Sequence, residues 1–341
     1  MNISYSIFLF LASVVLTRIF CVLAQNTKLM DKPNSRSLHV IPTVRGGGLI
    51  FIGLSLLAIP LISYYKQLFA SGQWILMGSI FLLALIGFLD DLYNLTAKLR
   101  LLVQCIVAFL VTFYMQPESL DFIWFSISNQ YVIVAFLFFI VIWAINHFNF
   151  MDGLDGFCAS QALFLLAAYT LFLNVHSAFL YQYYCMSLII CLLGFLWFNF
   201  PPAKLFMGDV GSATLGFITI AIAVIGQEQY DIPIVYWFLL NSLFLFDATI
   251  TLVRRMINKE EWFAGHKKHA YQRLKQSGID SYKILLGQTM INVTFLFLLL
   301  FFQANKLNLA GVICLQLAII LPIYYLIEKR FPMFPKLNLE F

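Results

Sequence analysis

Long apolar runs recur along the whole of this 341-residue sequence. A helix needs about 20 apolar residues to cross the roughly 30 Å hydrocarbon core of a bilayer, and a spanning segment must satisfy its backbone amides internally. Runs near that length lie at 3–24, 48–65, 73–89, 101–115, 131–145, 157–174, 178–198, 211–226, 232–253, 284–303 and 309–327. Because 62% of the residues are hydrophobic and only 11% are charged, we predict an all-α, polytopic integral membrane protein with about eleven spanning helices, ten being the alternative.

The connections between these runs are short, the longest being 25–47 and 254–283, so we predict one transmembrane domain over 1–341. Positively charged loops are retained in the cytoplasm. With the N-terminus outside, every Lys and Arg except Arg18, Lys66 and Lys306 falls on the cytoplasmic side. The six cysteines lie in apolar runs without metal-ligand spacing and are interpreted as packing residues. The chemistry is therefore expected in the polar cytoplasmic loops.

The first polar loop combines basic residues with glycines. Arg36, His39 and Arg45, with Thr43 between them, are candidate substrate-binding residues, because guanidinium and imidazole groups donate to phosphate. The glycines at 46–48 would let backbone amides approach an anion at the start of the second helix. A positive-inside anchor followed by a small-residue helix contact explains this loop equally well.

The second polar loop opens with adjacent acids. Asp90 and Asp91 follow the third apolar run directly, at the negative end of a helix, so a cation or proton should lie nearby. Lys98, Arg100 and Gln104 then open the fourth helix at a depth suited to a lipid phosphate. A loop held by salt bridges is the alternative interpretation.

The third polar loop places Asn146, Asn149, Asp152 and Asp155 three residues apart. On a helix this spacing puts all four on nearly one face, and such a stripe at the edge of a membrane is costly unless it lines a wet cavity. A helix cap and turn would explain 155–156 but not the whole stripe. We therefore predict a polar cavity here.

The fourth polar loop carries Asp209 just before the eighth run. Gly211 and Ser212 would cap that helix and leave free amides, and Asp209 could be no more than part of the cap. However, this is another loop with an acid on the same face, and Mg²⁺ binds through one or two carboxylates plus substrate phosphates. A divalent-cation site is the stronger interpretation.

The fifth polar loop contains His266, His269 and Arg273. If this segment is helical, the three share a face and form a donor array suited to a pyrophosphate. Zinc is disfavoured because no Cys and no third His lies nearby. A positively charged loop without a catalytic role is the remaining alternative.

At these residues the sequence resembles the polyprenyl-phosphate N-acetylhexosamine-1-phosphate transferase superfamily, the glycosyltransferase 4 family that includes MraY and WecA. The resemblance rests on five motifs in family order: RSLHVIPTVRGGG, DDLYNLTAKLRLLVQ, NHFNFMDGLDG, FNFPPAKLFMGDVGS and HKKHAYQRL. It covers the chain from Asp31 to Arg273. The last motif is similar to the WbpL-like branch that initiates O-antigen and departs from the His-rich motif of MraY. Val44 stands where relatives often have Pro.

The resemblance implies ten or eleven helices around a cytoplasm-facing cleft at the bacterial inner membrane. It assigns Mg²⁺ (or Mn²⁺) to Asp209 with Asn149, and it assigns the remaining roles as follows: uracil contacts to Asp155 and Phe206, diphosphate contacts to His266 and His269, and a lipid-phosphate contact to Arg100. Further substrate-binding candidates are Asp152, Arg273, Lys98, Arg36, His39, Thr43 and Arg45.

The expected reaction moves a hexosamine 1-phosphate from a UDP-N-acetylhexosamine to undecaprenyl phosphate and releases UMP, which starts O-antigen or another surface polysaccharide. Asp90 or Asp91 would deprotonate or orient the acceptor, and a two-step route with an aspartate nucleophile is the alternative. Rival functions are MraY-like transfer of phospho-MurNAc-pentapeptide in peptidoglycan synthesis and, in another class, a membrane transporter. The sugar and a homodimer stay open, and no nucleic-acid partner is expected.

Overall fold

The computed structural model describes residues 3–33, 37–122, 124–261 and 265–334. Their α-helices are α1 (Ile3–Leu23), α2 (Gly48–Lys66), α3 (Gln73–Tyr93), α4 (Ala97–Tyr114), α5 (Gln130–Phe150), α6 (Phe157–Val175), α7 (Phe179–Asn199), α8 (Gly208–Tyr230), α9 (Val235–Leu240), α10 (Ser242–Ile257), α11 (Ala270–Gln276), α12 (Ser281–Ala304) and α13 (Ala310–Arg330). Strand β1 (Met30–Asp31) pairs with β2 (Thr43–Val44), and β3 (Leu120–Asp121) pairs with β4 (Ser126–Ile127), both antiparallel. The prediction of an all-α, polytopic membrane protein is confirmed.

Within these ranges 10 helices are long and apolar enough to cross a membrane, α1 to α8 with α12 and α13. The predicted run at 232–253 is the exception, since α9 and α10 are separated at Asn241. The Asn241 side chain donates from Nδ2 to His147 Nε2 over 2.8 Å, and its Oδ1 accepts from Gln161 Nε2 over 3.1 Å. Buried polar side chains are tolerated when they pair with one another. The Asn241 side chain at the break between α9 and α10 therefore has its hydrogen-bond partners inside the helix bundle.

Helix α8 forms the centre of the bundle, since 89% of the residues in its 18-residue apolar stretch are buried. It packs against α2, α3, α5 and α6. Small residues permit this close approach. A Cβ added to Gly87 of α3 would lie 2.7 Å from Val210 Cα, and one added to Gly216 of α8 would lie 2.8 Å from Phe148 Cβ on α5. The first turn of α8 is therefore fixed between the ends of α3 and α5.

Helices α1, α4 and α13 form the periphery, since only 28%, 28% and 22% of the residues in their apolar stretches are buried. Their outward faces carry large apolar side chains such as Leu11, Phe109 and Leu321. These faces are the surface that lipid chains would cover.

Candidate active site

The first and fourth polar loops are joined by backbone hydrogen bonds. The Phe206 amide donates to the Val44 carbonyl over 2.8 Å, and the amides of Gly47 and Gly48 donate to the carbonyls of Phe206 and Met207 over 3.0 and 2.9 Å. The prediction that the amides at 46–48 are free for an anion is therefore wrong for Gly47 and Gly48. Their function is to hold Phe206 beside the first loop.

Asp91 is held by the N-terminus of α8. Its Oδ1 accepts from the Asp209 amide over 3.2 Å, and its Oδ2 accepts from the Val210 amide over 3.3 Å. The positive end of a helix stabilises an anion in this position. Gly208 has φ 72° and faces the Asp91 carboxylate, which leaves no room for a side chain there. Helix α8 thus begins at Gly208, three residues before the predicted cap, with Asp209 in its first turn.

Arg100 joins two of the acids. Its Nη1 lies 2.9 Å from Asp90 Oδ2 and 2.8 Å from Asp209 Oδ2. Since α4 begins at Ala97, Arg100 is in its first turn, as the sequence predicts. The expectation that a positive group meets the acids at the end of α3 is confirmed for Asp90.

Arg45 completes the C-terminal end of α3. Its Nε and Nη2 donate to the Asp91 carbonyl over 3.1 and 2.7 Å, and Nη2 also donates to Asn94 Oδ1 over 2.9 Å. The last carbonyls of a helix lack partners within the helix and favour a cation. Arg45 therefore fixes the first loop against α3, and its Nε lies 3.8 Å from Asp91 Oδ1.

The third loop does not form the continuous helical stripe that its spacing predicts. Helix α5 carries Asn146 and Asn149 but ends before Asp152 and Asp155, which lie in the connection to α6. Gly156 has φ 72° in this connection, a left-handed conformation that interrupts a helical path. The two asparagines and the two aspartates thus occupy different elements.

The polar groups of the third loop contact α8 and the fourth loop. Asn149 Nδ2 donates to Ser212 Oγ on α8 over 3.2 Å, which leaves Asn149 Oδ1 as the atom able to ligate a cation. Asp155 Oδ2 accepts from the Ala203 amide over 3.0 Å. Asn149 is therefore close to the first turn of α8, and Asp155 is fixed to the fourth loop.

These loops enclose a cavity of about 450 Å³, which we call the donor cavity. Predicted site residues that line it are His39, Thr43, Arg45, Asp91, Asp152, Asp155, Phe206 and Asp209. The edge of the His39 ring meets the Phe206 ring, with 5.0 Å between centroids. An aromatic face, basic groups and carboxylates at one cavity suit a ligand with a ring and phosphates.

Other lining residues were absent from the predicted site, among them Asn199, Gln272, Lys275 and Ser281. Asn199 accepts from the Gly156 amide over 3.0 Å and donates to the Leu205 carbonyl over 2.9 Å, so it joins the third and fourth loops. Its polar side chain at the end of an apolar run was the available signal.

Negative charge accumulates in the donor cavity. Burial raises the pKa of Asp152 well above its usual value, and the charges of Asp209, Asp91 and Asp155 raise it further. Hard oxygen donors of this kind fit Mg²⁺ or Mn²⁺. Among the described residues there is no group of three or more His, Cys, Asp or Glu side chains that could hold a metal ion.

The other predicted residues within the described ranges, including His266, His269 and Arg273 of the fifth loop, lie outside the lining of the donor cavity. Asp90, Arg100 and Asn149 are linked to the first turn of α8 by the contacts given above. Lys98 is exposed at the start of α4. Arg36 lies outside the described residues.

The fifth loop also differs from its predicted form. Helix α11 begins at Ala270, so His266 precedes it and His269 is its N-cap. His266, His269 and Arg273 therefore do not share one helical face. Arg273 Nη1 donates to Glu328 Oε2 and to the Phe331 carbonyl, each over 2.7 Å, which ties α11 to the end of α13.

His266 is held as a neutral imidazole. Burial and the nearby His269, Arg255 and Lys268 lower its pKa to about 3. Its Nδ1 lies 3.2 Å from the Lys268 amide and accepts from it, so the proton of the neutral ring belongs on Nε2. His266 can therefore donate from Nε2 without carrying charge.

The third and fifth loops meet through Tyr271. Its hydroxyl donates to the Phe150 carbonyl over 3.2 Å, and a Cβ on Gly153 would overlap that hydroxyl. All five motifs thus gather at one end of the bundle, where their acids lie at helix ends and in loops. A transporter places its site near the midplane between repeated halves, so this placement disfavours the transporter interpretation.

Comparison with known proteins connects this geometry to one family. Residues 73–227 match the family model described as glycosyl transferase family 4. A probable undecaprenyl-phosphate N-acetylglucosaminyl 1-phosphate transferase of Bacillus subtilis is 29% identical over 79% of this chain and 76% of its own length. This relative and the family model cover the residues of α3, α5 and α8 that form the site.

Two further relatives are named phospho-N-acetylmuramoyl-pentapeptide-transferase. The protein of Lactiplantibacillus plantarum is 30% identical over 55% of this chain and 63% of its own length. That of Wolbachia sp. subsp. Drosophila simulans is 34% identical over 50% of this chain and 56% of its own length. The matched region thus spans less than two thirds of either relative. The family model, these relatives and the clustered motifs together support the polyprenyl-phosphate hexosamine-1-phosphate transferase superfamily as the family of this chain.

Proposed function

We propose that the protein transfers an N-acetylhexosamine 1-phosphate from a UDP-sugar to undecaprenyl phosphate and releases UMP. The observation that carries this proposal is the donor cavity, in which Phe206, Asp155 and Asp209 lie together at one end of a membrane helix bundle. A water-soluble nucleotide sugar can enter such a cavity, while a lipid phosphate reaches the same helix ends from the bilayer. The transfer therefore takes place at the membrane surface.

The donor is held by the first, third and fourth loops. Phe206 offers a ring face for uracil, and Asp155, fixed by the Ala203 amide, offers a carboxylate to the uracil N–H. Arg45 and Lys275 border the same cavity and would neutralise the diphosphate. The sugar then extends toward the fifth loop.

The acceptor is held by Arg100. Its guanidinium bridges Asp90 and Asp209, and an arriving phosphate monoester provides the stronger bidentate partner. Once Arg100 moves to the phosphate, the Asp90 carboxylate is free to take the proton of the acceptor. Asp91 is unsuited to that step because both of its oxygens accept from the backbone of α8.

Asp209 and Asn149 would hold a Mg²⁺ or Mn²⁺ ion together with the donor diphosphate. When bound, such an ion stabilises negative charge on the phosphoryl oxygens. The chain itself positions the two reactants and excludes water, which is most of what phosphoryl transfer requires.

The bond changes follow from this arrangement. An oxygen of the polyprenyl phosphate attacks the phosphorus attached to the sugar, and the bond from that phosphorus to the UMP oxygen breaks. The electron pair leaves with UMP, and the acceptor proton goes to Asp90. A route through an aspartyl-phosphate would require a carboxylate oxygen in line with the donor, and Asp91 is engaged elsewhere.

The test is a panel of UDP-sugars offered to the purified full-length protein with undecaprenyl phosphate and Mg²⁺. UMP release with radiolabelled sugar phosphate in the lipid phase is the expected result for at least one UDP-N-acetylhexosamine. UMP release without undecaprenyl phosphate, or label retained only in water, contradicts the proposal.

UDP-MurNAc-pentapeptide belongs in the same panel, because two relatives are named for transfer of that substrate. We favour an N-acetylhexosamine donor and a role in starting O-antigen or another surface polysaccharide at the bacterial inner membrane. The basis is the fifth-loop motif, which keeps His266 and His269 separated by two residues. Turnover of the pentapeptide donor alone would reverse this preference.

A further inference from the structure

Asp247 of α10 is a buried carboxylate that the proposed reaction leaves unused. It is 6% exposed. Its Oδ1 accepts from the Ala270 amide over 2.9 Å and from Thr251 Oγ1 over 3.2 Å, and it lies 3.7 Å from His269 Nδ1. A buried carboxylate is costly unless it is hydrogen-bonded and paired with positive charge, and His269 is the basic group at ion-pair distance.

His269 is the counterpart of this carboxylate. The residue is 2% exposed, and its Nδ1 is buried without a hydrogen-bond partner in the described part of the chain. Leaving a buried polar atom unpaired is destabilising. A shift of less than 1 Å would bring Nδ1 from 3.7 Å to hydrogen-bond distance of Asp247.

The plane of the His269 ring is set by a ring stack. His269 stacks on Tyr271 at 15° between planes, Tyr271 stacks on Phe157 at 25°, and Phe157 stacks on Phe244 at 25°. The stack connects the fifth loop to α6 and α10. The stack fixes the plane of the His269 ring but does not determine which nitrogen points toward α10. The Asp247 carboxylate determines that orientation, because it attracts Nδ1.

We propose that Asp247 is a positioning residue that accepts the Nδ1–H of His269 and so directs Nε2 of the same ring toward the diphosphate of the nucleotide sugar. This inference rests on the proposed function. A ring whose Nδ1–H is donated to a carboxylate presents Nε2 on its opposite side, where that nitrogen can meet a ligand. His269 is the N-cap of α11, and Gln272 in the first turn of that helix lines the donor cavity.

A double-mutant cycle tests this coupling. Asp247→Asn keeps an oxygen for the Ala270 amide but removes the charge that attracts His269. We expect Asp247→Asn to lower kcat/KM for the accepted UDP-sugar about 10- to 100-fold, the effect known for carboxylates that orient metal-ligating histidines. His269→Ala should lower it at least as much, and the double variant should lose no more than His269→Ala alone.

Thr251→Val is the matched control, since it removes another partner of the same carboxylate without touching His269. It should change kcat/KM less than about threefold, although loss of a buried hydrogen bond to the carboxylate should lower Tm. Additive losses in the double variant would overturn the positioning role. If Asp247→Asn does not fold, Asp247→Ser replaces it in the cycle with the same expectation, since it also removes the charge and keeps an oxygen near the Ala270 amide. Absence of UMP release from the wild-type protein would instead count against the proposed function.

Discussion

The Arg100 guanidinium and the Asp209 carboxylate, which are 109 residues apart in the sequence, form a 2.8 Å ion pair between α4 and the first turn of α8. The same nitrogen contacts Asp90 at the end of α3. Arg100 thus lies where the proposed acceptor phosphate and the proposed cation would approach. The acceptor phosphate would compete with Asp90 and Asp209 for Arg100, and the cation would compete with Arg100 for Asp209.

Replacing Arg100 should separate these competitors. In Arg100→Gln the carboxylates of Asp90 and Asp209 lose their cationic partner, so they should attract Mg²⁺ more strongly and the Mg²⁺ concentration for half-maximal activity should fall. Transfer should nevertheless decrease about 10²- to 10³-fold, the typical effect of losing one preorganised electrostatic contact. Initial rates across a Mg²⁺ titration measure both changes.

Lys283→Ala is the control for charge, because the Lys283 side chain is 72% exposed and pairs with Asp280 three residues earlier in the same turn. It should leave both quantities within about twofold, as expected for an exposed pair worth at most about 1 kcal/mol. A rise in the Mg²⁺ requirement of Arg100→Gln would show that Arg100 does not compete with the cation.

The end of the bundle that carries the five motifs should face the cytoplasm. In a functional variant without the six native cysteines, a cysteine at Lys98 or Lys259 should resist an impermeant thiol reagent in intact cells and react in inverted vesicles. Gln67 and Asn305, at the opposite ends of α2 and α12, should show the reverse pattern. Labelling of Lys98→Cys from outside the cell would show that the predicted orientation of the bundle in the membrane is wrong.

In the absence of metal and substrate, the ionised Asp152 carboxylate should lower the stability of the folded protein. Its pKa is raised by burial and by neighbouring acids, so folding favours the protonated form, and this cost grows as pH rises above the unfolded-state value of about 3.9. Asp152→Asn should therefore raise Tm at pH 8 in EDTA. The gain should shrink as pH falls toward 4. A gain that is constant with pH would contradict the electrostatic origin.

Glu328 should hold the fifth loop through α13. It accepts from Arg254 Nη1 and Nη2 over 2.7 and 2.8 Å and from Arg273 Nη1 over 2.7 Å. Glu328→Gln leaves two partly buried guanidiniums without their carboxylate and should reduce the free energy of unfolding by about 1.5–3 kcal/mol, the range for hydrogen bonds to charged groups. A lower Tm in detergent measures the loss.

The matched control is Glu118→Gln, the same substitution at an exposed residue between α4 and α5. Its Tm should stay within 1 °C of the wild type, since exposed surface substitutions are usually within about 0.5 kcal/mol. Equal effects of the two variants would remove the structural role assigned to Glu328.

Periodicity and helix electrostatics accounted for much of the architecture. The apolar runs located the spanning helices because hydrocarbon thickness dictates their length. The end of α3 was expected to need a cation because of its dipole, and Arg100 meets Asp90 there. Such features depend on a few neighbouring residues and are visible in one sequence.

The contacts between distant loops were not predictable in this way. Gly47 and Gly48 donate to the fourth loop rather than to an anion, and Asp91 reaches the amides of α8 from more than a hundred residues away. The positions of Asp152 and His266 were wrong because the predicted helices continued past Phe150 and began before Ala270. Tertiary packing decides these points, and spacing alone carries no information about it.

The final prediction concerns Asp209 as the main ligand of the cation. Asp209→Asn removes a formal charge from a site that faces two phosphates, so it should weaken both metal binding and stabilisation of the transferred group. Transfer should fall by at least about 10²- to 10³-fold. EDTA should abolish wild-type activity and Mg²⁺ or Mn²⁺ should restore it, whereas the variant should need far more metal for any recovery.

Asp231→Asn provides the control, since it makes the same substitution at the other end of α8, where φ is 53° and Asn is well tolerated. Asp209→Asn should also fold, because the Asp209 side chain is 29% exposed and its amide, not its carboxylate, bonds to Asp91. Matching Tm values for both variants would establish this. Near-normal turnover by folded Asp209→Asn at low Mg²⁺ would falsify the assignment, and the cation would then belong to Asp90 and Asp91.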